Sequence, residues 1–97
     1  MIRHIVFFSA KREAGVKAVA DGLNALGRIP GAEFFEVALN AKIDPISDEI
    51  DVVVYAEFRD EAALRSWKAD PIYAETTRIV RPLRELRYSA DFVSRCA

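Results

Sequence analysis

Apolar residues alternate with a period of two in four stretches of the chain and recur at helical spacing in the segments between them. Residues 2–9 are β-branched and aromatic and read as a strand. Ile2, His4, Val6 and Phe8 share one face, and Arg3, Ile5, Phe7 and Ser9 share the other. In residues 13–28, Val16, Val19, Ala20, Leu23 and Leu26 form one helical stripe, which Pro30-Gly31 brings to a stop. Residues 33–40 alternate again, with Phe35, Val37 and Leu39 set against Phe34, Glu36 and Ala38. A polar loop over 41–50 carries the turn signals Asp44-Pro45 and Ser47-Asp48 and is expected to be the most mobile part of the chain. The strongest strand is 51–59. Asp60 caps a helix through Lys68 that buries Ala63, Leu64 and Trp67. Asp70-Pro71 interrupts that helix, because the residue before proline is disfavoured in helical geometry. A second helical segment over 71–81 is expected to bury Ile72, Ile79 and Val80. Residues 84–92 close the pattern as a strand, with Leu86, Tyr88 and Ala90 on one face and Arg87, Ser89 and Asp91 on the other.

The order βαββαβ predicts an α+β, ferredoxin-like domain in which right-handed crossovers put the helices on one face of a four-stranded antiparallel sheet. The opposite face is then bare. It carries Ile5 and Phe7, together with Val37 or Val53 and Tyr55. Both faces of the first strand are apolar, whereas a sheet with one solvated face alternates more cleanly. A bare apolar face usually marks an interface, and two copies packed sheet to sheet would cover it. The pattern alone therefore predicts a homodimer through the helix-free face.

Ninety-seven residues make one domain, with 2–92 as its core and 93–97 as a tail. A net charge of −1 gives no electrostatic reason to expect nucleic acid or an anionic membrane as partner. No apolar run approaches the ~18 residues of a membrane span, and the N-terminus lacks a signal-peptide pattern. The single cysteine, Cys96, excludes an intrachain disulfide and fits a cytoplasmic setting. It reads as a frayed tail residue sooner than as a redox thiol. One histidine and a terminal cysteine offer no metal-ligand spacing, and there is no phosphate-binding glycine loop and no nucleophile elbow. Neither a metal nor a cofactor is expected.

Several segments, in this order, resemble the stress-responsive A/B barrel (Dabb) family of dimeric α/β barrels. They are Ile2-Arg3-His4-Ile5-Val6-Phe7-Phe8, the helix exit Leu26-Gly27-Arg28-Ile29-Pro30-Gly31, the strand and turn from Asp51 to Leu64, and Ile79-Val80-Arg81-Pro82 with a strand closing on Asp91-Phe92. The resemblance implies the paired βαββαβ barrel. It also implies functions that are varied and mostly unassigned. One branch, a plant polyketide cyclase, closes a linear polyketide without a cofactor, using a histidine and a tyrosine near a His-Pro-x-His segment and a further histidine on the first strand. Here the first-strand histidine is His4, the segment is Asp70-Pro71-Ile72-Tyr73, and Trp67 stands where the tyrosine would be. A phenol of pKa ~10 is a poor base at neutral pH beside an imidazole of ~6.5.

His4 and Tyr73 are the candidate catalytic residues, and Val6, Phe8, Leu23, Trp67 and Arg87 the candidate ligand-binding residues. His4 would act as acid, base or polar anchor, or else serve as a core histidine with its nitrogens satisfied. Tyr73 and Trp67 would line a pocket mouth or pack as amphipathic core. Arg87 would suit a carboxylate or phenolate, or form a salt bridge. The resemblance places the pocket on the helix side of the sheet. The expected activity is unassigned binding of a small apolar or aromatic molecule by a homodimer, with a cofactor-free enzyme of the polyketide cyclase type as the alternative. A haem-degrading monooxygenase ranks last, because it needs a haem-ligating histidine on a helix or loop and His4 is on a strand.

Overall fold

A computed structural model of the chain describes residues 1–95, so Cys96 lies outside the described residues. The elements are β1 (Ile2–Ala10), α1 (Val16–Leu23), β2 (Phe34–Leu39), β3 (Val52–Phe58), α2 (Glu61–Ala69), α3 (Pro71–Val80) and β4 (Arg84–Val93). They build one antiparallel sheet in the order β2-β3-β1-β4, with the helices on one side. This is the ferredoxin-like arrangement read from the alternation.

Strand β3 alternates between buried and half-buried residues along its whole length. Val52, Val54, Ala56 and Phe58 face the helices and meet Val19, Leu23, Leu64, Trp67 and Val80 in the core. His4, Val6 and Phe8 of the adjacent β1 join them on that face. Ile5, Phe7, Val53 and Tyr55 lie on the other face, whereas Val37 pairs with Val54 on the helix side.

Two expected helix boundaries shift for local reasons. Residues 12–14 form a turn, closed by the Ala14 and Gly15 amides donating to the Lys11 carbonyl, and Gly15 takes a left-handed φ of 84°. From Asn24 to Arg28 the chain tightens into a 3-10 helix, as helices often do at an end that lacks further partners. The expectation that Ile79 is buried is corrected. The inward face of α3 is centred on Thr76 and Val80, which leaves Ile79 on the flank, 46% exposed. The break between α2 and α3 falls at Asp70, which is extended and accepts a hydrogen bond from the Ile72 amide at 2.9 Å. Asp60 caps α2 in the same manner through the Ala63 amide. Helices α1 and α3 meet closely at Gly22, where a Cβ would stand 2.9 Å from Val80 Cγ2. No helix of the described residues is long and apolar enough to cross a membrane.

Candidate functional site

His4 sits in the middle of the sheet's helix face, opposite Ala56 on one side and Asp91 on the other. It is 1% exposed. Its Nδ1 is hydrogen-bonded to Asp91 Oδ1, and the Asp91 side chain reaches solvent at the sheet edge. Burial holds the imidazole below its usual 6.5, against the hydrogen bond and charge of Asp91, with Lys68 and Arg87 reinforcing the depression. A neutral ring beside a carboxylate must carry its proton on Nδ1 and donate it there. That leaves Nε2 as a lone pair with no hydrogen-bond partner among the described residues.

Trp67, on the inner face of α2, is the hub of the aromatic cluster. Its ring centroid lies 6.1 Å from that of His4, 5.2 Å from Phe58 and 5.5 Å from Tyr73, each pair near edge-on. This geometry favours aromatic packing. The indole Nε1 is buried and has no hydrogen-bond partner among the described residues, a state that is costly for a donor unless a ligand or water completes it.

Both nitrogens belong to residues that line one cavity between helices and sheet. The centre of a water-sized sphere can move through about 40 Å3 of it, room for a few water molecules. All the space between its lining atoms, open solvent at the mouth included, comes to about 440 Å3. The floor is His4, Val6 and Phe8, and the walls come from Leu23 of α1, from Leu26 in the 3-10 turn beyond it, and from Tyr73, Thr76 and Val80 of α3. Arg84 and Arg87 of β4 close the remaining side.

The seven residues singled out from the sequence, His4, Val6, Phe8, Leu23, Trp67, Tyr73 and Arg87, are thus brought around one space. The sequence reading missed Asp91 as the partner of His4, along with Thr76 and Arg84. Asp91 shares a strand face with Arg87 in the alternation, but only the β1–β4 register reveals that it stands opposite His4. Arg84 escaped for a different reason. Eight and eighty-seven are paired, as are ten and eighty-four, so β4 carries one residue more than β1 between those pairs. That bulge reverses the alternation and turns Arg84 to the same side as Arg87. Among the described residues no group of His, Cys, Asp and Glu is arranged to hold a metal ion.

The family profile of the stress responsive A/B barrel domain, Dabb, matches residues 2–94. No curated protein matches the sequence. Several solved structures do. A Dabb family protein with a ferredoxin-like fold from Mesorhizobium loti is 26% identical, with a TM-score of 0.79 over 96% of this chain and 95% of that one. A dimeric ferredoxin-like protein of unknown function from Thermobifida fusca is 21% identical, with a TM-score of 0.77 over 96% and 90% of the two chains. A protein from Arabidopsis thaliana is 15% identical, with a TM-score of 0.82 over 100% and 98%. The last two likenesses are of fold.

Proposed function

We propose that this chain, which belongs to the stress-responsive A/B barrel domain family, is a homodimeric cytoplasmic protein that binds a small apolar or aromatic molecule between its helices and its sheet. The observation that carries the reading is the pair of unpartnered nitrogens, His4 Nε2 and Trp67 Nε1, on residues that line the same apolar cavity. A mostly apolar pocket with a few convergent polar groups is the usual form of a small-molecule site. His4 is its polar anchor, while Val6, Phe8, Leu23 and Tyr73 supply apolar and aromatic wall. The dimer is supported by the helix-free face, where Phe34, Tyr88 and Phe92 are exposed beside half-buried Ile5, Phe7 and Val53. The structural relative from Thermobifida fusca is itself described as dimeric. Purified protein is incubated with a metabolite extract, and retained molecules are identified by mass spectrometry. A ligand held by the wild type and lost in His4→Ala is the expected result. Equal retention by a folded His4→Ala variant would remove His4 from the site.

A second reading, a cofactor-free enzyme acting on an aromatic or polyketide-like substrate, is favoured by one further observation. Asp91 fixes the tautomer that leaves Nε2 basic, the arrangement of an oriented general base. In this reading His4 draws a proton from an acidic carbon or hydroxyl, Asp91 stabilises the imidazolium, and Tyr73 donates a hydrogen bond to a substrate carbonyl. Deuterium uptake from heavy water into the retained ligand, absent with His4→Ala, would separate catalysis from binding alone.

A further inference from the structure

The β4 bulge sets two arginines against the cavity. Residues three apart on a regular strand point to opposite faces, yet Arg84 and Arg87 both line the same space, because Glu85 and Leu86 together stand opposite Ser9. The Leu86 amide donates to Ser9 Oγ at 3.0 Å, so the irregularity is held by a hydrogen bond of its own. Neither arginine has an acidic partner among the described residues, although Arg3, Arg65 and Arg78 all do. The surroundings of Arg84 add to its charge instead of balancing it. Burial holds its guanidinium below the usual value, and then Arg87 and Arg81 push it further down. A chain of net charge −1 thus gathers unpaired cations at one end of an apolar cavity. Guanidinium groups that share one cavity without a carboxylate partner, Arg84 half-buried and Arg87 exposed, call for an anion, and the planar fork of arginine fits a carboxylate in particular.

The floor of the cavity sets a length. Arg87 pairs with Phe8, and Asp91 pairs with His4 on the same strand. Four residues of strand separate those rungs, ~13 Å at ~3.3 Å per residue. Between them the lining is apolar, with Val6, Leu23 and Val80 along the way.

We propose that the ligand is an organic carboxylate, its head seated between Arg84 and Arg87 and its apolar body running over Val6 toward His4 and Trp67. This rests on the reading of the cavity as the ligand site and adds to it the class of molecule. Trp67 is the sole tryptophan of the chain and lines the cavity, so its fluorescence reports occupancy there directly.

The test titrates the full chain with octanoate and with octan-1-ol, which share a body and differ in charge. Octanoate is expected to change Trp67 emission at a concentration at least tenfold below that needed for octan-1-ol. The Arg84→Gln/Arg87→Gln variant is expected to reduce that preference to about twofold. Arg87→Gln alone, on an exposed side chain, is expected to reduce it partly and serves if the double variant does not fold. Equal binding of the two probes to the wild type, or a preference that survives in the folded arginine variants, overturns the carboxylate assignment while leaving the cavity as a binding site. Failure of both probes to affect Trp67 overturns the cavity reading, and the carboxylate assignment falls with it.

Discussion

His4 and Asp91 stand directly opposite each other in the β1–β4 register, and the imidazole Nδ1 donates to the Asp91 carboxylate across that rung. One partner is almost wholly buried and the other is partly in solvent. The pair therefore connects a mostly apolar cavity to the sheet edge. The carboxylate orients the ring, and the core keeps it neutral.

The chain has one histidine, so its imidazole resonances are assigned by inspection. An NMR titration is expected to show His4 titrating below its usual 6.5, since burial outweighs Asp91. Asp91→Asn removes the charge and weakens the hydrogen bond that favour the imidazolium, and His4 should then titrate lower still. A rise in the His4 pKa on that substitution would show that Asp91 does not hold the ring.

The same depression makes stability depend on pH, with a definite sign. Below about pH 6.5 the unfolded chain takes up the histidine proton while the folded chain still resists it. The unfolded state then binds more protons, so stability falls as the pH drops from 6.5 toward the folded-state pKa of His4. Above 6.5 His4 contributes no slope. Chemical denaturation between pH 5 and 8 should show this decline in the wild type. The decline should be weaker in His4→Asn, which has no group titrating in that window at position 4.

The period-two and helical patterns made the element order, the division of β1 into two faces, the cap at Asp60 and the helix break at Asp70-Pro71 legible, because each depends on a few neighbouring residues. Alternation put His4, Val6 and Phe8 on one face, and the family resemblance turned that face toward the helices and singled out Trp67 and Tyr73 around the Asp70-Pro71 break. Asp91 and Arg84 depended on something the pattern does not encode, namely which residue faces which across two strands more than seventy positions apart. A one-residue bulge is silent in the sequence and reverses every side chain beyond it. Ile79 misled for a related reason. Its apolarity fits a helical stripe, but the direction of that stripe is fixed by where Thr76 and Val80 meet the core.

Phe7→Asp and Ile5→Asp each place a carboxylate on the helix-free face, where both side chains are half-buried within one protomer. A sheet-to-sheet dimer would bury that charge without a partner, at a cost of several kcal/mol. Sedimentation equilibrium of the wild type at micromolar concentration should give twice the 10.9 kDa of the chain, and either variant should give the monomer or aggregate. A wild type sedimenting as the single chain would refute the dimer.

Residues 41–49 are all exposed, with Ile43 at 88% and Ile46 at 85%, so no core contact holds the loop. What organises it is Asn40. Its Nδ2 donates to the Ile50 carbonyl at 2.7 Å and the Ser47 carbonyl at 3.2 Å, and its Oδ1 accepts from the Lys42 amide. Lys42 takes a left-handed φ of 56° and donates from Nζ to Asp51, which also accepts from the Ala10 amide at the end of β1. The loop's own amides bond only to near neighbours, such as Ser47 to Asp44 and Ile50 to Ser47, at 3.3 and 3.4 Å. Bonds this local open without unfolding the sheet. Hydrogen exchange in 41–49 should therefore be much faster than in 52–58, whose amides lie in a central strand paired on both sides. Asn40→Ala should speed exchange in the loop further, leave 52–58 at its original rate apart from a global loss of about 1–2 kcal/mol, and mark Asn40 as the staple. Loop exchange as slow as that of 52–58 would mean that contacts beyond a single protomer hold the segment in place.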